Sequence, residues 1–275
     1  MLGLAMNGVE SYYDERALEY DTVFEALFFR IYDFVTWKHI EPYLPRFPGA
    51  RVLDAAGGTG RWSIRMARAG CNVTLLDVSE EMLNVAREKV KKESLEHLIS
   101  IEKGDIRKLD YEDETFDMAL CEHAVFLLER PEEAIKEFKR VLKNVGVLIV
   151  SAQNRYVHTI CQLPCDESLS SDKLEKVLST LLRKRYNVMD RERKVRIHTL
   201  TPGEFRSLLE GNGFKVIKMI GKGITMPIRV SNKISMRREY PEELFEKLLQ
   251  LELNICEEPD SLALAGHMQA IANKL

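Results

Sequence analysis

Two carboxylates and a run of glycines pose the first chemical question in this sequence. The stretch "RVLDAAGGTGRWSIRMARAGCNVTLLDVSEEML" (Arg51–Leu83) runs from an apolar segment to Asp54, bends through Gly57, Gly58 and Gly60, and becomes helical. It then returns to a second apolar segment that also ends in an acid, Asp77. In open parallel α/β sheets, ligands bind beyond the carboxyl ends of strands, where the chain order reverses. Glycines at that point let backbone approach a ligand. The helix that follows directs free N–H groups and its positive end toward it. An acid closing the next strand, about 20 residues on, can take both hydroxyls of a ribose. Taken singly, Asp54 and Asp77 are turn or cap residues; in register with the glycines they point to a nucleotide.

The elements that must position these groups follow from periodicity. Strands are expected at Arg51–Ala55, Asn72–Asp77, Ile99–Lys103, Phe116–Glu122 and Gly146–Ala152. Helices are expected at about Arg61–Ala69, Glu80–Glu93 and Pro131–Leu142. Such alternation requires crossover connections and a parallel sheet covered on both faces. Residues 10 to 47 read as helical, ended by prolines 42, 45 and 48. The segment 155–200 reads as helical and strand-poor, including "SSDKLEKVLSTLLRKRY", with Ser170 or Ser171 as a cap. After it come a capped helix beginning at "TPGEF", a strand near Lys215–Ile220, a helical insert at about 240–256 and a last strand at His267–Ala272. The expected organisation is an N-terminal helical lid (1–48), a nucleotide-binding core (49–154), a helical cap insert (155–200) and the rest of the sheet with a second insert at about 225–257.

Which nucleotide is a question of spacing. A dinucleotide fingerprint has G-x-G-x-x-G after the first strand. Counted from Gly58, its third glycine falls on Ser63, which speaks against a NAD-dependent oxidoreductase, the rival from another class. The order here is acid, small residue, then glycines: "LDAAGGTG". This resembles the class I S-adenosylmethionine-dependent methyltransferases, whose first motif is a strand ending in D/E-x-G-x-G-x-G. The first of those glycines is Ala56 here, and quinone-biosynthesis members of that superfamily often carry the same "AGGTG" run. "LLDVSEEML" resembles the second motif. "EKGDIRKLDYEDETFDMALCEHAVFLL" resembles the next two, and "EEAIKEFKRVLKNVGVLIVS" the helix, turn and fifth strand that follow.

The resemblance implies a Rossmann-like α/β fold: a mostly parallel seven-stranded sheet with helices on both faces and a helical cap. It implies S-adenosylmethionine as cofactor, S-adenosylhomocysteine as product, and a set of cofactor residues. Asp54, Ala55, Ala56, Gly57, Gly58 and Gly60 would form the turn. Asp77 would bind ribose hydroxyls, with Val78 and Met82 on the adenine. Gly104 would open the third turn, Asp105 would accept from the adenine amino group, and Ile106 would offer a backbone N–H. Glu122 and His123 would lie beside the methyl group. Apart from the resemblance, Arg30 suits the methionine carboxylate because guanidinium forks match carboxylates, and it reads equally as a surface arginine on an amphipathic helix. "HAVFLL" and the C-terminal stretch also resemble a branch that methylates a carboxymethyl group on the wobble uridine of transfer RNA.

The sulfonium already activates the methyl group, so the protein must position a nucleophile and exclude water. A general base is needed only where the nucleophile loses a proton. His123 and His158 are the candidates; each also reads as an ordinary partly buried histidine. Tyr12, Tyr13, Tyr20, Tyr156 and His158 are polar residues expected near the mouth, where a substrate would bind. Cys121 follows Leu120 inside a strand and reads as core rather than nucleophile. His158, Cys161 and Cys165 lack a second ligand pair at a familiar spacing, so no metal is expected.

Bulk properties narrow the partners. The chain has 275 residues, a net charge of -3, 45% hydrophobic and 30% charged residues. That fits a globular protein with a real core, and disfavours a protein built to grip a nucleic-acid backbone. No apolar run is long enough to cross a bilayer and the first residues do not read as a secretory signal, so a cytoplasmic location without membrane contact is expected. Scarce glutamine beside abundant Glu, Lys and Arg points to a heat-adapted source. The basic run 183–196 reads as a solvated helix face or a contact for phosphates. The function expected is methyl transfer to a small-molecule acceptor, with transfer RNA the alternative; a cofactor-binding protein without catalysis is the third reading.

Overall fold

The computed structural model describes residues 3–161, 170–172, 174–175, 178, 186–190, 192, 195–225 and 236–275. Five strands form the parallel part of the sheet: β1 (Arg51–Ala55), β2 (Asn72–Asp77), β3 (Ile99–Lys103), β4 (Phe116–Cys121) and β5 (Leu142–Asn154). Val52 and Leu53 on β1 point to opposite faces and both are buried, as expected of a strand covered on both sides, whereas β3 (ISIEK) at the sheet edge is only partly buried. Between them lie α3 (Arg61–Arg68), α4 (Glu80–Lys92) and α5 (Pro131–Val141). The pairing order is β3-β2-β1-β4-β5. Chain order therefore reverses between β1 and β4, and the crevice opens at their carboxyl ends.

Two antiparallel strands complete this sheet. β9 (His267–Lys274) lies against β5, and β8 (Phe214–Lys222) against β9. Those seven strands are the expected sheet. The structure adds a hairpin of β6 (Tyr186–Asp190) and β7 (Val195–Leu200), joined to β5 only at Gln153 and Asn154. This corrects the expectation that 155–200 is strand-poor, and the described parts of the basic run 183–196 are strand rather than helix face. The helix expected over 170–186 lies largely outside the described residues, as does Cys165. Val, Ile and Thr at 188, 195, 197 and 199 favour a pleated strand over the helix suggested by the charge pattern.

Local signals set the helix starts. Ser79 caps α4, its Oγ accepting from the Met82 N–H at 3.1 Å. Pro131 opens α5, with Glu132 and Glu133 in its first turn and Lys139 and Arg140 in its last. Thr201 and Glu204 form a capping box on α7 (Pro202–Glu210). A short α6 (Arg155–Ile160) follows β5, and α8 (Glu242–Ile255) precedes β9.

The N-terminal region is not one long helix. It divides into α1 (Gly3–Asp14), a 3-10 turn at Tyr20–Glu25, and α2 (Leu27–Lys38), with Ala26 extended between the last two. Tertiary bonds account for the break. Asp21 accepts from Thr59 Oγ1 at 2.7 Å and from Lys89 Nζ at 2.6 Å, drawing the turn down onto α3 and α4. Asp14 likewise accepts from Ser79 Oγ at 2.6 Å. Propensity yields to these contacts.

Three layers result. One apolar cluster lies between the sheet and α5 with α7, a second under α3 and α4, and a third joins α2 to α8. No helix among the described residues is long and apolar enough to cross a membrane. Phe138 is fully buried in the first cluster beside Phe116 and Phe205. Phe138→Ala is expected to cost about 3–5 kcal/mol, read from urea denaturation with an unchanged slope.

Candidate active site

The carboxyl ends of the parallel strands border a cavity of about 640 Å3, its open mouth included. Three turns meet there. Ala56 and Gly58, after β1, adopt left-handed backbone with φ of 62° and 54°. Gly60 (φ 79°) starts α3, and a Cβ at Gly57 would fall 2.9 Å from the Asp54 carboxyl and from Leu75. The Gly57 N–H donates to Leu76 O at 3.1 Å and the Gly104 N–H to Asp77 O at 2.9 Å. The turns after β1, β2 and β3 are thus bonded to one another.

Asp77 is the joint between them. Its Oδ2 accepts from the Gly58 N–H at 2.8 Å and its Oδ1 from the Ser79 N–H at 2.9 Å. Burial pushes its carboxyl up, against the pull of the N–H groups of Ser79, Gly58 and Val78. A carboxylate has roughly four acceptor positions, so capacity remains for hydroxyl donors in the cavity. Asp77 and Gly58 both line that cavity, and no bulky side chain separates them.

Most of the sequence-derived cofactor residues converge on this space. Ala56, Val78, Met82, Gly104, Asp105 and Ile106 line it, and Glu122 and His123 close its far end. Val78, Met82 and Ile106 form an apolar slot next to Asp77. Asp105 is held by both Nε and Nη2 of Arg107, with its Oδ1 also accepting the Arg107 N–H at 2.9 Å. Tyr20 and Tyr13 add two half-buried phenols; loss of solvent around the ring oxygens raises both, so they stay protonated donors. Val9, Ala124, Leu127 and Leu128 complete the lining. The two leucines were visible in "HAVFLL", whereas nothing in the sequence marks Val9.

Other expected residues stand elsewhere. Arg30 does not line the cavity: it donates to Tyr240 Oη at 2.7 Å, lies 3.6 Å from Glu242, and packs 4.5 Å from the Phe245 ring centre. The turn at Ala26 rotates that face of α2 toward α8. The arginine near the cavity is Arg61, which pairs with Asp33 and covers Phe24 at 3.6 Å. Tyr12 lies under Arg16 at 3.7 Å. Tyr156 is largely exposed, its N–H donating to Asn154 Oδ1 at 2.9 Å. His158, on α6, is not a lining residue, and burial lowers it. Ala55, Asp54, Gly57 and Gly60 support the turn from behind rather than lining the cavity.

Behind Glu122 lies an ion pair with no solvent contact. Lys222 Nζ donates to Glu122 Oε2 at 2.8 Å and to Thr36 Oγ1 at 3.2 Å, and sits 4.4 Å from the Tyr32 ring centre. Glu122 Oε1 has no partner among the described residues. One carboxylate oxygen is therefore fixed by Lys222 while the other stays available beside the cavity.

The arrangement suits a nucleoside carrying a cationic arm. Asp77 presents acceptor oxygens of the kind hydroxyl donors need, Val78, Met82 and Ile106 an apolar surface, and Asp77, Asp105 and Glu122 three carboxylates with no Lys or Arg lining the cavity among the described residues. S-adenosylmethionine has those parts. A dinucleotide is less well served, since Ser63 stands in place of the third glycine and its Oγ donates to Asp54 at 2.6 Å.

Asp54 itself is buried, and burial pushes its carboxyl up to about 6, opposed by Ser63. The folded form thus holds its proton to a higher pH than the unfolded chain does, and stability falls as pH rises between those values. Wild type relative to Asp54→Asn should lose roughly 3 kcal/mol between about pH 4 and pH 6, then stay level. Urea melts of both proteins across that range would check it; a constant difference would contradict the burial argument.

Known proteins fit this geometry. The family described as "Methyltransferase domain" matches residues 53–150. The chain is 34% identical over 145 residues to the ubiquinone/menaquinone biosynthesis C-methyltransferase UbiE of Ruegeria sp. (strain TM1040), covering 52% of this chain and 57% of that one. It is 37% identical over 102 residues to a phosphatidylethanolamine N-methyltransferase of Cereibacter sphaeroides, covering 37% and 50%. The chain thus spans about half the length of these relatives. Among solved structures, an S-adenosylmethionine dependent methyltransferase from Mesorhizobium loti superposes with a TM-score of 0.55 at 19% identity, covering 86% of this chain and 97% of that one. Residues 53–150 accordingly match a methyltransferase domain, and the chain has the fold of the class I S-adenosylmethionine-dependent methyltransferases.

Proposed function

We propose that the protein transfers a methyl group from S-adenosylmethionine to a small-molecule acceptor. The observation that carries this is the shared cavity of the glycine turn and Asp77, joined at 2.8 Å, with Glu122 and His123 at its other end. In this reading Asp77 holds the ribose and Val78, Met82 and Ile106 hold the adenine. Asp105 takes the adenine amino group. Glu122, fixed by Lys222, faces the cationic end. The cofactor brings an activated methyl group, and the chain's own residues align the acceptor with it and exclude water.

The relatives favour a small acceptor in different ways. One is named for a quinone-pathway carbon and another for a phospholipid nitrogen, so the matched half fits donor binding shared by both. Two further parts belong to this proposal: α1 and the turn at Tyr20–Glu25 act as the lid, and the inserts shape the acceptor side. Transfer RNA remains the alternative acceptor, and the basic residues 183–185, 191, 193 and 194 that would test it lie outside the described residues. A cytoplasmic location accords with the absence of a spanning helix among the described residues.

Calorimetry with S-adenosylhomocysteine and NAD tests the donor. S-adenosylhomocysteine should bind, and Asp77→Ala should weaken it by roughly 10- to 150-fold, the range expected for a lost charged hydrogen bond. NAD binding without S-adenosylhomocysteine binding would refute the assignment. Incubating labelled donor with a cell extract split into RNA and small-molecule fractions should label the second. Bound donor with no transfer to either would leave only a binding protein.

A further inference from the structure

The end wall of the cavity is backed by side chains that donor binding does not use. His123 has left-handed backbone, φ 62°, a conformation disfavoured for a residue with a Cβ and often found where function requires it. Its N–H donates to Ser151 Oγ at 2.9 Å, which pins it there. Its ring lies 5.0 Å from that of Tyr32 on α2 and 5.1 Å from that of His267 on β9. Tyr32 and His267 are 5.4 Å apart, so the three rings close a triangle.

Each ring carries a buried heteroatom without a hydrogen-bond partner among the described residues: Tyr32 Oη, His123 Nε2 and His267 Nδ1. Buried polar atoms are nearly always paired. Three unpaired ones beside a ligand cavity point to chemistry rather than packing. The charges around them are already committed. Lys222 of β8 is held by Glu122, and Arg61 of α3 by Asp33 of α2. Asp77, Asp105 and Glu122 line the cavity, and no Lys or Arg does among the described residues.

We propose that His123 takes the proton of a neutral, protic methyl acceptor, a phenol or enol in chemical class, and that Tyr32 and His267 are positioning residues that keep its imidazole uncharged and facing the cavity. This rests on the methyltransferase reading and names the acceptor that reading leaves open. Burial first, then His267, Lys222 and Arg61, push His123 well below the usual imidazole range. Burial, Lys222 and His158 bring His267 to about 3. Burial and Glu122 keep the Tyr32 phenol protonated. All three rings are therefore neutral at pH 7, so none repels a sulfonium.

In the reaction the acceptor's proton passes to the imidazole of His123. The electron pair so freed forms the bond to the methyl carbon. The carbon–sulfur pair remains on sulfur, giving the thioether, and the imidazolium releases its proton to water. No further reagent is required. A carboxylate acceptor has no proton to give and would bring another negative charge beside Glu122.

The test starts from the protein with S-adenosylhomocysteine in the calorimeter; no binding would overturn both the methyltransferase reading and this proposal. Where it binds, the small-molecule fraction labelled by the donor is passed over an anion exchanger. Label is expected in the unretained, neutral material. Label only in retained anions, only in RNA, or nowhere would overturn the proposal while the donor site stands.

With the neutral acceptor, His123→Gln should slow transfer about 100-fold or more, beyond any change in S-adenosylhomocysteine affinity. Wild type should keep full rate well below the ordinary imidazole value, since only neutral imidazole acts; a midpoint near that ordinary value, about 6.5, would contradict the role of the two neighbours. His267→Ser and Tyr32→Leu should admit water and raise the midpoint by at least about half a unit, and Tyr32→Phe should restore it. A purely structural role would lower the melting temperature and leave the midpoint in place, which would also refute the proposal.

Discussion

A single hydrogen bond, from the Gly58 N–H to Asp77, holds the site together. It ties the turn after β1 to the end of β2, and the Gly104 N–H extends the tie to the turn after β3. Asp77 is buried, so as an isolated carboxylate it would be costly; backbone N–H groups make the charge tolerable. The group that shapes the turn is also the one that would meet the ribose. Removing it would disturb both, which is why affinity and fold must be measured together at this position.

In the proposed reading the cavity has a donor side built by strand-end turns and an acceptor side backed by α2, β8 and β9. The matched region, 53–150, contains most of β1, all of β2 to β4 and most of β5. Much of what backs the far wall comes from outside it, Tyr32 from α2, Lys222 from β8 and His267 from β9, beside Phe126 from within. A buried ion pair such as Glu122–Lys222 contributes little net stability. Its value here is geometric, because it fixes one oxygen of Glu122 and links the cavity floor to the N-terminal helix.

The donor side was legible because its signals are local. Strands β1 to β4 were readable as apolar runs, and Asp54, the glycines and Asp77 lie within two adjacent turns. The acceptor side depends on residues far apart in the chain. His267 stands 144 positions after His123 (267 minus 123) and reads as one residue in a strand; only the pairing of β9 with β5 brings it near. Arg30 was misplaced for a related reason. Guanidinium chemistry alone suggested a carboxylate partner; the partners it meets, Tyr240 and Glu242, lie more than 200 positions away and come near only through the packing of α8 on α2. The charge pattern over 183–196 suggested a helix where β-branched residues form β6 and β7. At Ala56 the sequence departs from an all-glycine motif, and the backbone is left-handed there all the same; the neighbouring turns supply what the missing glycine would have made easy.

Among the described residues the hairpin of β6 and β7 joins the parallel sheet by strand pairing at two positions, Gln153 with Thr199 and Asn154 with Leu200, and Arg155 ties it further by donating to Thr199 O at 3.0 Å. Ladder pairing to β5 thus anchors β7 at its carboxyl end, and β6 reaches the sheet through β7 alone among the described strands.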